Sequence, residues 1–133
     1  MYEARVIEDS IAQGVRLTTI CATFPRFILA EYNTHRTFSR NSASSRAIPV
    51  PKRIRAVIDD PFIPGAFASN KAGMQAGEEL PHWKQWVLLS NHWLNRWMCV
   101  FAAWVASKIG SHKQWANRYI EFHGWHTVVT TST

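Results

Sequence analysis

The spacing of apolar positions changes along the chain, and each change marks a predicted element. Val15, Leu17, Thr18, Thr19, Ile20 and Thr23 make a β-branched, threonine-rich run, which predicts a strand over 15–24. Residues 4–10 predict a short strand before it. Ile11-Ala12-Gln13-Gly14 reads as the turn between them, so the two form a hairpin-like pair. Pro25 suits the first turn of a helix. Phe27, Ile28, Ala30 and Tyr32 then predict one helix running to about Arg36. A polar loop follows. Pro49 and Pro51 break the chain before a second helix over 52–58, with Ile54, Val57 and Ile58 on one face and Asp59-Asp60-Pro61 at its end. Residues 61–79 hold glycines and prolines with little periodicity and predict a long ordered connection.

Leu80 to Ile109 predicts the longest helix. Trp86, Trp93, Trp97 and Trp104 share one of its faces, which Val87, Leu94, Phe101 and Val105 widen; Ser90 interrupts the stripe. Such a stripe could stack bases. Its helical register favours core or a subunit interface. Gly110 is placed to end this helix. Ser111 can cap the next one, expected from His112 to about Phe122, with Gly124 closing it. His126 to Thr133 reads as a strand.

Composition narrows the class. A chain of 133 residues suffices for one domain with a modest core. A hydrophobic content of 47% excludes a disordered tail. The net charge of +6 and pI of about 9.8 fit an anionic ligand, nucleic acid or an acidic membrane surface. The strongest apolar run, Trp97 to Ala106, falls short of the ~20 residues a membrane span needs. Met1-Tyr2-Glu3-Ala4-Arg5 has no apolar stretch behind it, so no secretory signal is expected. Cys21 and Cys99 lie apart among apolar neighbours and read as reduced, cytosolic, chemically inert core thiols.

Most familiar chemistry finds no residues to carry it. His123 and His126 flank Gly124 without an acidic or cysteine partner, so no zinc site is expected. Glycine-rich nucleotide loops and a G-x-S-x-G elbow are absent. What stands out is Thr34-His35-Arg36-Thr37-Phe38-Ser39-Arg40-Asn41-Ser42-Ala43-Ser44-Ser45-Arg46. Arginine forks, serine hydroxyls and loop amides together suit an anionic group. A second polar cluster spans Lys113 to Glu121. There Gln114, Arg118 and Glu121 fall on one helical face. Either Arg118 pairs with Glu121 on the surface, or it is a second arginine aimed at the same anion as Arg46.

His35-Arg36 followed by Ser44-x-Arg46 resembles the R-H-R and S-x-R signature of the flavin-dependent thymidylate synthases. The resemblance continues over nearly the whole chain in order. It includes Arg16-Leu17-Thr18-Thr19, Pro25-Arg26-Phe27, Gly73 to Leu80, His112-Lys113-Gln114-x-Ala116-Asn117-Arg118, Ile120-Glu121 and His126-Thr127-Val128-Val129, in the manner of a phage and bacterial branch. It implies an α+β fold, an antiparallel sheet packed against helices including the long Trp-rich one. It also implies a cytoplasmic homotetramer with active sites between subunits. FAD is the implied redox cofactor, with dUMP methylated at C5 from methylenetetrahydrofolate and NADPH supplying the hydride. By the same resemblance Ser44 and Arg46 bind the dUMP phosphate, Ser42 lines that pocket, and Arg118 also holds the nucleotide. Glu31 stands where relatives have a glutamine on dUMP, and His35, Arg36 and Thr37 wrap the flavin.

The match has departures. Thr34 replaces an arginine, Ile11-Ala12-Gln13-Gly14 occupies a flavin-contacting segment, and the sequence lacks the family's C-terminal portion with its uracil-polarising arginine. The expectation is therefore a single domain over 1–133 that does not complete catalysis by itself. Two other readings stay open: a deoxyuridylate hydroxymethylase, and a non-catalytic basic module for nucleotide or nucleic acid.

Overall fold

The computed structural model describes residues 1–133. Strands β1 (Glu3–Ala12) and β2 (Val15–Pro25) form the predicted hairpin, longer than the sequence pattern suggested. Ala12 faces Val15, leaving Gln13 and Gly14 as a two-residue turn with φ of 52° and 80°. Positive φ at both positions is the turn whose twist matches that of the flanking strands, and glycine adopts it without a Cβ penalty. Strand β4 (Trp125–Ser132) pairs antiparallel with β2, and β3 (Ser39–Ser42) pairs antiparallel with β4. The sheet order is thus β1-β2-β4-β3. Threonines weld its centre: Thr19 to Thr131 and Thr23 to Thr127 are both joined by hydroxyl bonds of 2.9 Å.

The polar segment beyond Arg36 is expected to be loop, and here the structure differs. Ser39–Ser42 is an edge strand. Its side chains carry no alternation because backbone pairing with β4, not burial, forms it. Polar side chains suit such an outer edge.

The helix expected from Pro25 to about Arg36 is also corrected. A 3-10 turn (Arg26–Ile28) leads into one short turn of helix, α1 (Leu29–Tyr32). In a continuing helix the Glu31 carbonyl would receive the N–H of His35. Instead it receives the N–H of Thr34 at 3.1 Å and the Thr34 hydroxyl at 2.6 Å. A threonine hydroxyl competing for a helix carbonyl is a known way to stop the ladder. His35 and Arg36 therefore lie in a turn beyond the helix.

Helix α2 (Val50–Asp59) takes Pro51 into its first turn, where a missing N–H costs nothing. Helix α3 (His82–Lys108) runs without an internal glycine or proline. Gly110, with φ of 84°, ends it: the Ser111 N–H reaches the Ala106 carbonyl at 2.9 Å and the Gly110 N–H the Ser107 carbonyl at 3.3 Å. Helix α4 (Lys113–Arg118) is shorter than expected and yields to a 3-10 turn at Glu121–His123. Its cap is His112, whose Nδ1 accepts the Gln114 N–H at 3.2 Å, and not Ser111.

The three longer helices share a core of Val57, Val100, Ala103 and Ile120, continued by Val50, Ala106 and Ala116, with Ile54 packed against both groups. Alanines on α3 let its neighbours approach closely. The tryptophan stripe lies on the other side. Trp86 is 69%, Trp93 58%, Trp97 39% and Trp104 49% exposed, so it is not core within the chain. Periodicity identified residues sharing a face, but a helix apolar on two sides does not say which side faces inward. Phe62, from the predicted connection, joins sheet to helices. It is buried, its N–H bonds the His123 carbonyl at 2.9 Å, and its ring meets Phe27, His92 and Trp125. No helix is long and apolar enough to cross a membrane.

Candidate functional site

Beyond Ser42 the chain leaves the sheet edge and turns. The Arg46 N–H bonds the Ser44 hydroxyl oxygen at 3.3 Å, and the Ala47 N–H bonds the Ser44 carbonyl at 3.1 Å. This local hydroxyl-to-backbone bond is the chemistry expected of serine in a turn. Ser42, Ser44 and Arg46 are all exposed, whereas Ser45 between the last two is buried.

Arg46 crosses to α4, its Nε donating to Gln114 Oε1 at 2.7 Å. Gln114 and Arg118 are four residues apart on that helix and so share a face. Arg118 lies over the Trp115 ring at 5.5 Å. The structure thus brings Arg46 to the same helix surface as Arg118. The surface pair between Arg118 and Glu121 is not formed. The helix ends at Arg118, which carries Glu121 off that face and inward to Arg26, with Arg26 Nε and Glu121 Oε1 3.1 Å apart.

Beneath the loop is a buried polar network that sequence reasoning missed. Arg26 Nη2 donates to Ser45 Oγ at 3.2 Å, and Ser45 Oγ in turn donates to Glu121 Oε1. Arg26 Nη1 lies 2.6 Å from His126 Nδ1, which must therefore be the accepting nitrogen, leaving the proton on Nε2. Asn117 is fully buried and its Nδ2 donates to the carbonyls of Ser45 and Ile48, both at 2.8 Å. Arg53 is buried nearby with Nε and Nη2 unpartnered. Burial pulls its pKa below the usual guanidinium value, and the charge of Arg26 adds to the effect. Burial, together with Arg26 and Arg53, lowers His126 to about 4, so it is neutral at pH 7. Motifs did include Arg26, Asn117 and Glu121, but nothing in the sequence pairs residues so far apart.

The segment of His35, Arg36 and Thr37 is exposed. Arg40 holds its backbone, with Nη1 donating to the carbonyls of Tyr32 at 3.2 Å and His35 at 2.7 Å. His35 stacks on Phe38 with ring centres 5.9 Å apart. A cavity of about 250 Å³ opens beside them, lined by Tyr32, Phe38 and Thr130 among others. Glu31 is exposed on α1, and no hydrogen bond or ion pair links it to Ser44, Arg46 or Arg118.

The thiols stand apart from both groups. Cys21 and Cys99 are half-buried rather than core, and burial raises the Cys99 pKa, which disfavours the thiolate. His123 Nε2 lies 2.8 Å from Asn95 Oδ1. Burial, then His92 and Arg96, holds His123 down to about 4. No three metal-ligating side chains cluster.

No protein-family model matches the sequence, and no curated protein matches it. Among solved structures, the fold is shared with a UMP/dUMP methylase, PolB, from Streptomyces cacaoi. Its complex with 5-Br UMP aligns with a TM-score of 0.77 and 10% identity, over 100% of this chain and 71% of that one. The complex with 5-Br dUMP gives 0.76 and 11%, over 100% of this chain and 73% of that one. At such identity the likeness is one of fold, and it agrees with the α+β architecture and antiparallel sheet described above.

Proposed function

We propose that this chain binds dUMP and takes part in methylating its uracil at C5, with FAD as redox cofactor, methylenetetrahydrofolate as carbon donor and NADPH as reductant. The observation that carries the reading is the Arg46–Gln114 bond. It spans 68 residues and brings the arginine of Ser44-x-Arg46 to the helix surface that bears Arg118. Two guanidiniums beside serine hydroxyls and a turned backbone are the donor set for a phosphate dianion. A fold shared with a UMP/dUMP methylase supports the same substrate class.

In this reading Arg46 and Arg118 bind the phosphate, while Ser44 and Ser42 complete its shell. Anchoring that end fixes where the base can lie, and Glu31 meets it as a polar partner. The thiols take no part, since neither has an activating base. The donor set of the 35–37 turn suits the anionic portion of a dinucleotide. Arg36 is exposed and forms no ion pair, His35 offers a ring face, and Arg40 already restrains the backbone. FAD bound there would supply the hydride chemistry. The protein works as a homotetramer, and the exposed tryptophan face of α3 supports an interface between copies.

Calorimetric titration of dUMP into the wild-type protein and Arg46→Ala tests the reading, alongside an absorbance spectrum after FAD is added and excess removed. Weakened dUMP binding in the variant, with flavin bands retained in both, is the expected result. Equal dUMP affinity in the two proteins would remove the phosphate assignment.

A further inference from the structure

Building on the phosphate assignment above, we infer that Ser45 is a positioning residue, and that Asn117, Glu121 and Arg26 lock the loop through it. Side chains alternate sharply here: Ser44 and Arg46 face solvent, and Ser45 points into the protein. Every polar group of Ser45 that points inward is engaged. Its hydroxyl donates to Glu121 and accepts from Arg26 Nη2, and its carbonyl accepts from Asn117. The clamp extends to both sides of the loop. Asn117 Nδ2 also holds the Ile48 carbonyl at 2.8 Å, and Arg26 Nη1 lies 3.5 Å from the Ala43 carbonyl.

Such a network does more than fill space. Of the residues that grip the loop from below, Asn117 precedes Arg118 on α4, Glu121 follows three positions later in the next 3-10 turn, and Arg26 comes from the turn after β2. Asn117 and Arg118 thus tie the loop backbone and the second cation to the same helix. In a site shielded from water, satisfied hydrogen bonds strengthen one another and restrict the chain to one conformation. A loop already held in its ligand-ready shape avoids the ordering cost at binding. Releasing Ser45 would leave the charges of Arg46 and Arg118 in place but let the loop between them wander. The loss should fall on the grip of the phosphate and not on contacts to the base.

The test compares dUMP with deoxyuridine, which lacks the phosphate. The ratio of their affinities reports the phosphate grip alone. Ser45→Ala should lower that ratio about tenfold, the size of one or two lost hydrogen bonds, and Ser45→Thr, which keeps the hydroxyl, should restore it. A purely architectural role would weaken both ligands together or only lower the melting temperature. Arg46→Ala is run beside it. If Arg46→Ala lowers the ratio and folded Ser45→Ala does not, the positioning role is overturned and the phosphate assignment stands. If neither changes the ratio, the phosphate assignment itself fails and takes this role with it. Should Ser45→Ala not fold, Glu121→Ala removes the same hydroxyl's acceptor at a partly exposed position, and an unchanged ratio there counts equally against the role.

Discussion

A single exposed arginine gains little from a phosphate in water, so what matters at residue scale is company and orientation. Arg46 has both, through Gln114 and the neighbouring Arg118. Truncating it should weaken dUMP binding by about 1.5–3 kcal/mol, the size of a charge-assisted contact, with FAD affinity unchanged; parallel titrations of both ligands check this. Cys21→Ala and Cys99→Ala should lower the urea midpoint and leave any turnover of the folded protein intact. Complete loss of turnover in a normally folded variant would instead implicate a thiol nucleophile. The exposed polar residues of the candidate site stand out in the sequence, since serine and arginine together in a glycine-free turn suit an anion. Ser45, Arg26 and His126 were not. Their partners lie up to 100 residues away, and a buried polar side chain looks in sequence like any exposed one.

At the scale of elements, α3 is a helix with two apolar faces. Ala103 is wholly buried while Trp93 is mostly exposed. Ala103→Leu should therefore destabilise a dilute, unassociated chain by about 1–3 kcal/mol through overpacking. Trp93→Ala should cost less than about 1 kcal/mol there, as a surface change does. Urea unfolding of the two variants decides between the faces, and the reverse ranking would return the tryptophans to the core. Strands and helices were legible from periodicity along most of the chain. The exceptions have local causes: Thr34 capturing the Glu31 carbonyl, and an edge strand formed by backbone pairing alone.

The whole molecule carries two neutral, buried histidines, His123 and His126, each lowered to about 4 from an ordinary value near 6.5. Unfolding releases both to take up protons below pH 6.5, so the unfolded state binds more protons than the folded one between about pH 6.5 and 4. Stability is then full above that window and falls as pH drops through it. A loss on the order of 2 kcal/mol for each histidine, about 5 kcal/mol for the two, is expected between pH 7 and 4.5, measurable as a shift in urea midpoint. His126→Gln should flatten the slope. An unchanged slope would show that His126 takes up its proton alike in the folded and unfolded chain. Sheet order was beyond the sequence, because β3 inserts beside β4 from a segment without strand patterning.

The hairpin of β1 and β2 has one further consequence. All ten residues of β1 are exposed, and its outer edge pairs with nothing. Backbone amides along that edge have only solvent to bond, so their deuterium uptake should be among the fastest of any strand. An association that covers the arm would slow it, and uptake measured against protein concentration would then follow assembly amide by amide.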